Sequence, residues 1–509
     1  MVRSKKLVAF AATGALVLAA CGGSDDDSSA ESEEAVDEAA DEAEEAVDDA
    51  VAEGEEAVDE AEEAVDEAEE AVDEEAMEDE AADAADEEAM EDEEAMEDDA
   101  AAAAGFAVDT SGCEDPDAAV APIEGGLKIG TSIPLSGGPA VLFAPFADGQ
   151  QAYVDFYNSA NGGINGEPIE LIIKDDQYTA ELTVANVDEL VFDDEVDIIA
   201  GVIGSPNNLA IQADLNAQCI PQLTASTGAP NWGDVDGFPW TTGLLVPYAI
   251  ESNVWAEQAA AAGATTAGLF YVNNEFGQAY ADAFEVAAEA NGIEIVATET
   301  IEASDSGAPA GQVTNLVAAN PDTILAVPLG AQCIAFMTEI GNQKAANADF
   351  AASVYQTATC ANPVFFGAVT NGGSDGVFTS NNVKDVNNEE IATTDEGVLA
   401  YLEAFGATGS EADPGGIAVA GWLSMEAAIQ SAQEAADGGN YSREGIINAA
   451  RNIDYTPGLL EEGLSYTMGP DDGFMAEGTR IQVWSDANAG FVPDGDPINL
   501  EGSLGTYDS

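Results

Sequence analysis

From Leu127 onward, short apolar runs alternate with amphipathic segments of helical length. The run Lys128 to Ile133 has the length of a buried strand, and Ala144 to Ala160 shows the apolar spacing of a helix. A second series of the same kind extends from Ala267 to Tyr355. Strands that alternate with helices of this length favour a parallel sheet covered on both faces. The sequence therefore predicts an α/β fold with two such units and a cleft between them.

Charge separates this region from the residues before it. Residues 25–99 hold 42 of the 100 acidic residues and no Lys or Arg. Val58, Val65 and Val72 recur every seven residues, as in a coiled-coil seam, but small apolar residues bury little and unpaired carboxylates repel one another. An oligomerising coiled coil and an extended, partly helical spacer are both open. We favour an acidic low-complexity spacer over residues 21–104.

The whole chain has a net charge of −90 and contains no histidine. A surface this negative repels nucleic acid, so we expect no nucleic-acid partner. Without histidine the chain lacks the commonest general base and metal ligand. We therefore predict no catalytic residues, no metal and no cofactor. A serine hydrolase is the enzymatic alternative, since Gly372–Gly376 matches G-x-S-x-G, but no imidazole is present to activate Ser374.

The N-terminus has the features of an export signal. Arg3, Lys5 and Lys6 precede the apolar run Leu7 to Ala20, whose 14 residues are too few to cross a bilayer. The run ends in Leu18-Ala19-Ala20-Cys21, which resembles a bacterial lipoprotein lipobox. The resemblance implies a signal peptide over residues 1–20, acylation of Cys21, and an extracytoplasmic protein anchored by lipid at the cell surface or in the periplasm.

Five segments carry a family resemblance: LKIGTSIPLSG, DGQQAYVDFYNSANGGINGEPIELIIKDDQ, GVIGS, IPQLTASTGAP and YVNNEFGQAYADAF. In this order they resemble the type I solute-binding proteins of bacterial ABC importers, which include branched-chain amino acid- and amide-binding proteins. The resemblance covers residues 125–509. It implies two doubly wound, Rossmann-like lobes joined by a three-crossing hinge, the type I periplasmic-binding-protein fold, which closes on a small ligand.

On this chain the implied crossings fall near Thr241–Leu245, Phe366–Thr370 and Tyr455–Gly458. Lobe one then comprises about 125–243 and 368–455, and lobe two about 244–367 and 456–509. The implied function is capture of a small polar ligand, an amino acid by default, by a monomer that serves ABC permease subunits. A ligand sensor for an amide, a urea-like compound or a small organic acid is the alternative.

Several residues follow strands at the edge where ligands bind in open α/β sheets. Ser205 and the loop Ala225-Ser226-Thr227 are candidates for the carboxylate end of the ligand, through two hydroxyls and the backbone N–H of Ala225. The alternative is that Ser205 and Thr227 only cap helices.

In lobe two, the resemblance implies that Tyr271 and Phe276 cover the ligand and that Gln356 lies at its other end. Amino-acid receptors of this family usually present an acid to the ligand ammonium from the loop that reads Tyr355 to Cys360 here. This loop contains no acid, and Glu275 is a candidate substitute.

Four cysteines remain beyond Cys21, an even set in a chain with an export signal. Three pairings are open. We favour Cys113–Cys219, at the start of lobe one, and Cys333–Cys360, between neighbouring strand-end loops of lobe two. Unpaired buried cysteines are the alternative.

Overall fold

The computed structural model describes residues 105–503, apart from Ser306 and Asp471. The predicted signal peptide, Cys21 and the acidic spacer therefore lie outside the described residues. None of the described helices is both long enough and apolar enough to cross a bilayer.

Two sheets organise the described chain, and strands that alternate with helices pair in parallel in both, as predicted; the second sheet also has antiparallel strands. The first sheet has the order β2-β1-β3-β4-β5, and all its pairs are parallel. Its strands are β1 Lys128–Ile133, β2 Glu170–Asp175, β3 Ile198–Ala200, β4 Gln222–Ala225 and β5 Thr241–Gly243. This order is that of a doubly wound α/β lobe, in which ligands bind beyond the carboxyl ends of the strands.

The second sheet has the order β14-β13-β10-β9-β8-β6-β7, with β15 paired to β13. Its parallel strands are β6 Thr266–Val272, β7 Glu294–Ile301, β8 Thr323–Val327, β9 Ser353–Gln356 and β10 Phe378–Asn381. Its antiparallel strands are β13 Gly478–Ser485, β14 Gly490–Pro493 and β15 Ile498–Asn499, and a separate hairpin contains β11 Asp454–Tyr455 and β12 Tyr466–Thr467. Every residue of the apolar strand β8 is buried, whereas β7 at the sheet edge alternates exposed and partly buried residues.

Helices cover both sheets. They are α1 Pro116–Val120, α2 Ala140–Asn161, α3 Ala180–Phe192, α4 Ser205–Ala217, α5 Tyr248–Ala261, α6 Glu275–Ala290, α7 Ala310–Ala318, α8 Ala331–Ala346, α9 Pro363–Gly367, α10 Ile391–Thr394, α11 Glu396–Ala407, α12 Ile417–Asp437 and α13 Arg443–Arg451. Local chemistry sets several ends. For example, α2 stops at Gly162, whose φ of 74° suits glycine, and the Asn274 side chain accepts from Gly277 N at the start of α6.

Glycines allow α2 and α12 of the first lobe to cross at close range. A Cβ on Gly149 would lie 2.0 Å from the carbonyl oxygen of Ala418, and one on Gly421 would lie 2.0 Å from that of Phe146. Because the two backbones touch, these helices hold a fixed relative position. Both also contribute side chains to the cleft described below.

The chain passes between the sheets three times. It first leaves β5 and begins α5, which packs on α6 of the second lobe. The second crossing follows β10, because β10 still pairs with β9 and β13, whereas the later helix α11 packs on α2 of the first lobe. The predicted crossing at Phe366–Thr370 is therefore wrong, since Phe366 packs against Trp484 and Phe491 within the second lobe.

The third passage is longer than predicted. Beyond Tyr455, Leu460 forms an isolated bridge with Val383 at the hinge, but the chain then returns to form β12 beside β11. It enters the second sheet only at β13. Lobe two therefore does not begin at residue 456 but at about residue 478, where β13 starts.

The described residues contain two disulfides, one in each lobe. Cys113 bonds to Cys219 with Cα atoms 5.5 Å apart, which ties the turn before α1 to the residues after α4. Cys333 bonds to Cys360 with Cα atoms 5.9 Å apart, which ties α8 to the loop after β9. The first bond therefore joins two non-helical segments of the first lobe, and the second fixes a loop to a helix of the second lobe.

Candidate functional site

A cleft lies between the two lobes and encloses about 1000 Å3 of empty space, including its open mouth. Residues of the first lobe, the second lobe and the hinge all line it. They are Leu142, Phe143, Phe146, Tyr178, Ile203, Gly204, Ser226, Leu245, Val246, Tyr248, Glu251, Phe276, Tyr280, Leu329, Ala358, Thr359, Ala361, Asn362, Asn381, Asn382, Val383, Gly416, Ile417, Ala420 and Thr479. Most are apolar, so the cleft suits a ligand with an apolar body.

Five rings form what we call the aromatic wall: Phe143, Tyr178, Tyr248, Phe276 and Tyr280. The rings of Tyr248 and Tyr280 stack with centroids 3.8 Å apart, and Phe276 meets both edge-on at 5.6 and 5.5 Å. From the first lobe, Phe143 and Tyr178 stack at 5.6 Å. Rings in such pairs are held in fixed orientations, so the wall is a preformed surface.

Three hydroxyls meet where the first-lobe strands end. The Oγ of Ser205 lies 2.6 Å from Oγ1 of Thr227, which lies 3.0 Å from the hydroxyl of Tyr248. All three side chains are buried. Ser205, Ala225 and Thr227 were predicted site residues, but they are not among the residues that line the cleft, whereas Tyr248, which the sequence analysis missed, does line it. Its only signal in the sequence is its position directly after the first crossing.

The predicted loop Ala225-Ser226-Thr227 lies at the end of β4, beside these three hydroxyls. The register of β4 against β5 shifts between Gln222 and Ala225, and Thr224 has a φ of 52°, which is unusual for a β-branched residue. Ala225 is buried as the last residue of β4. Ser226 lines the cleft, and its Oγ donates to the carbonyl of Thr224 at 3.2 Å.

Of the residues of the second lobe that were predicted to contact the ligand, one lines the cleft and the others do not. Phe276 lines the cleft. Gln356 is buried away from the cleft lining, where its Nε2 donates to the carbonyl of Cys333 at 3.2 Å, and Tyr271 donates to Oε1 of Gln278 at 3.4 Å. Glu275, the candidate substitute acid, is exposed and does not line the cleft. The side chains of Gln356 and Tyr271 are directed to neighbouring helices, which the strand pattern alone did not reveal.

A buried acid lines the cleft in the second lobe, and the sequence analysis missed it. Glu251 is 4% exposed, and its Oε2 accepts from Ser380 Oγ at 3.0 Å and from Ala358 N at 3.4 Å. Burial raises the pKa of Glu251 to about 7, although hydrogen bonds from Ser380, Tyr280 and Ala358 N oppose the shift. Among the described lining residues it is the one charged side chain. Glu251 lies three residues after Tyr248 on α5, so both side chains lie on the same face of that helix. This spacing was the signal in the sequence that could have identified it.

The G-x-S-x-G segment has a structural role in the second lobe. Ser374 is buried and its Oγ donates to Oδ1 of Asp486 at 3.3 Å. It is not one of the residues that line the cleft. The geometry therefore gives no support to the serine-hydrolase alternative.

A cluster of three acidic residues could offer oxygen ligands to a cation. The carboxylates of Asp472, Glu477 and Glu501 have oxygen atoms within 4.8 Å of one another. Burial and the two neighbouring acids raise the pKa of Glu501 to about 8. The group lies apart from the cleft lining, and acidic groups of this kind are common without a metal.

Known proteins share this architecture. A periplasmic binding protein family model matches residues 126–489. The chemotactic signal transduction system substrate-binding protein BasB of Halobacterium salinarum is 30% identical over 208 residues, which are 39% of this chain and 49% of BasB. The chain thus spans about half the length of that relative.

Two solved structures extend the comparison. A branched-chain amino acid ABC transporter protein from Thermus thermophilus with bound valine has a TM-score of 0.64 and 15% identity, over 74% of this chain and 97% of that chain. A solute-binding protein from Rhodopseudomonas palustris in complex with benzoate has a TM-score of 0.61 and 18% identity, over 74% and 98%. At these identities the likeness is one of fold.

Proposed function

The chain belongs to the periplasmic binding protein family, and from that premise we propose that it is an extracytoplasmic solute-binding protein that delivers a small ligand to an ABC importer. The observation that carries the proposal is the cleft itself, which is lined from both lobes and from the hinge. Lobes joined by a few hinge segments close around a ligand in receptors of this kind. The ligand then stabilises the closed state.

The chemistry of the cleft supports a ligand with an apolar body. The aromatic wall offers apolar surface, and Ser226 and Tyr248 bring hydroxyls to the cleft lining, with the buried hydroxyls of Thr227 and Ser205 directly behind Tyr248. These hydroxyls would be the donors to a ligand carboxylate. An amino acid with a branched-chain or other apolar side chain is the default ligand. The relatives that hold valine and benzoate are consistent with this class in that both ligands combine an apolar body with a carboxylate.

Membrane attachment is part of the proposal. Acylation at Cys21 would anchor the protein, and the acidic spacer over residues 21–104 would hold the binding domain away from the membrane. Both rest on the sequence, because those residues lie outside the described part of the chain. The protein would act as a monomer that presents its ligand to the permease subunits.

Calorimetry tests the proposal directly. The purified full chain would be screened by thermal shift against amino acids, amides and organic acids, since a ligand that binds only the folded state raises its melting temperature. Hits would be measured by titration calorimetry. A binding stoichiometry of one, lost on filling the cleft by Ala420→Trp, is the expected outcome. A ligand bound equally well by Ala420→Trp would place the site elsewhere.

A sensory receptor is the second candidate, favoured by the similarity to a chemotactic substrate-binding protein. Such a protein would use the same cleft but report to a membrane partner that is not a permease. Deleting the gene separates the two. Loss of ligand uptake indicates an importer subunit, whereas intact uptake with loss of the behavioural response to the ligand indicates a sensor.

A further inference from the structure

Glu251 faces the cleft from an environment that contains no cation. On its own helix α5 its nearest titratable neighbour is Tyr248, and from α6 it receives the hydroxyl of Tyr280. From β10 it receives Ser380 Oγ, and from the loop after β9 the N–H of Ala358. No Lys or Arg is among the described residues that line the cleft. The carboxylate thus has hydrogen-bond donors but no counter-charge from the protein.

A structural role alone does not require an acid at this position. A neutral amide oxygen could accept from the same three donors, whereas a carboxylate in an apolar cleft carries a charge that is costly to desolvate. The cost is offset when a partner of opposite charge enters. Without such a partner, the side chain can avoid the cost by staying protonated. Because Glu251 is the one charged residue of the described lining, a counter-charge for its carboxylate would have to come from the ligand.

We propose that Glu251 is the counter-charge for a positively charged nitrogen of the ligand, so that the cleft selects ligands in which an ammonium group is attached to an apolar body. This inference rests on the proposed function as a solute receptor. In amino-acid receptors of the family, the acid that meets the ligand ammonium usually lies in the loop that reads Tyr355 to Cys360 here. This loop has no acid, and in this chain the acid would come from helix α5 instead. Glu251 reaches that loop through its bond to Ala358 N.

The surroundings of Glu251 favour a cation at this point. Tyr280 lines the cleft and donates its hydroxyl to Glu251, so this bond holds the carboxylate that would meet the cation. Thr357 Oγ1 donates to Tyr280 at 2.9 Å and holds that hydroxyl in place. A simple organic acid would meet a negative charge instead.

Recognition of a cation by this group is linked to a proton. When an ammonium ion approaches protonated Glu251, the carboxyl O–H bond breaks, the proton passes to solvent, and the carboxylate pairs with the cation. The pKa of Glu251 in the ligand-free cleft is raised to about 7 by burial. Affinity for a cationic ligand should therefore increase with pH up to about 7 and level off above it.

Matched compounds test the proposal. Titration calorimetry on the full chain would use three sets that share an isobutyl, isopropyl or benzyl body: L-leucine, L-valine and L-phenylalanine, the amines that lack the carboxylate, and the acids that lack the amine. We expect the amino acid or amine of at least one set to bind at least tenfold more tightly than its acid. Glu251→Gln should weaken that binding at least tenfold and remove its pH dependence between pH 6 and 8.

The control is Glu426→Gln. Burial also raises the pKa of Glu426 to about 7, but this residue accepts from Trp422 Nε1 on α12 and does not line the cleft. Its substitution should leave affinity unchanged. A second measurement needs no variant: wild-type titrations in buffers of different ionisation enthalpy should show release of roughly 0.5–0.8 protons at pH 6.5 and almost none at pH 8.5.

The outcomes separate the two proposals. If the acids bind as tightly as the amino acids, or if Glu251→Gln folds and binds unchanged, the assignment of Glu251 is overturned while the receptor function stands. Absence of proton release at pH 6.5 also overturns it. If no compound of any set binds, selection of an ammonium group on these apolar bodies is overturned, and failure of the broader screen as well would overturn the receptor function.

Discussion

The hydroxyl of Tyr248 lies 3.0 Å from Oγ1 of Thr227, and this contact joins the two lobes at the cleft. Thr227 follows β4 of the first sheet, whereas Tyr248 begins the first helix after the hinge. Thr227 also contacts Ser205 at 2.6 Å. Of the three, only Tyr248 lines the cleft. Under the proposed function, a ligand carboxylate that bonds to these hydroxyls would replace their mutual bonds and so affect the contact between the lobes.

Ser205→Ala and Thr227→Ala should each weaken a carboxylate ligand about ten- to a hundredfold, because hydrogen bonds to a charged group contribute about 1.5–3 kcal/mol. The ligand would be one found by the screen, measured by calorimetry. Ser431→Ala is the matched control, since Ser431 is also buried but donates to Ala427 O within α12. Unchanged affinity in both cleft variants would mean that the carboxylate binds elsewhere.

Tyr248→Phe should weaken the same ligand about tenfold while the ring stack on Tyr280 is kept. The substitution removes one hydroxyl and leaves the aromatic surface, so the loss reports the hydrogen bond alone, at about 0.5–1.5 kcal/mol between neutral groups and more toward a carboxylate. Calorimetry on the variant gives the affinity. Equal losses for carboxylate and non-carboxylate ligands would instead indicate a general change in lobe position.

Glu251→Gln should change how stability depends on pH. The folded-state pKa of Glu251 is raised to about 7 from 4.5. The contribution of the protonated side chain to the free energy of unfolding is therefore fully present below pH 4.5 and is lost as the pH rises to about 7. The loss is on the order of 3 kcal/mol, at about 1.4 kcal/mol per pKa unit. Chemical denaturation at pH 5 and pH 8 should show a smaller difference in the variant. An identical difference in both proteins would contradict the raised pKa.

Gly149→Ala and Gly421→Ala should each destabilise the protein by about 1–3 kcal/mol, because the added Cβ would meet a backbone oxygen of the facing helix. Gly406→Ala is the control. It lies exposed in α11 with no atom within 4 Å of an added Cβ, and should stabilise the helix by about 0.5–1 kcal/mol. Denaturant midpoints measure all three. Equal effects at the three positions would rule out the close helix crossing.

Cys21→Ala should release the protein from the membrane fraction, because the cysteine supplies the acylation site of the predicted lipobox. Fractionation and mass spectrometry of the mature wild-type N-terminus test this. Thr13→Ala, inside the apolar run, is a matched control that should leave lipid attachment intact. A mature wild-type protein without lipid would contradict the anchor.

Local patterns were sufficient for the α/β class. The apolar run of β8 is buried along its whole length, and a short apolar run of this length is consistent with a central strand. The strand-end hydroxyls of Ser205 and Thr227 also followed from local position, since carboxyl ends of parallel strands share one edge of a sheet. By contrast, β10 has the sequence FTSN, which carries little strand signal, and only its pairing with β9 and β13 reveals it. The predicted second crossing failed for that reason.

The sequence by itself determined the α/β class, the two-lobed family fold and the place of Ser205 and Thr227 after their strands, because each depends on the chemistry of neighbouring residues. Only the tertiary structure decided that Glu251 faces the cleft and that Gln356 does not. Glu251 meets Ala358 and Ser380, which lie 107 and 129 residues further along the chain. Its burial, its raised pKa and its place beside the ligand space arise from packing between distant segments, and such packing leaves no periodic trace in the sequence around it.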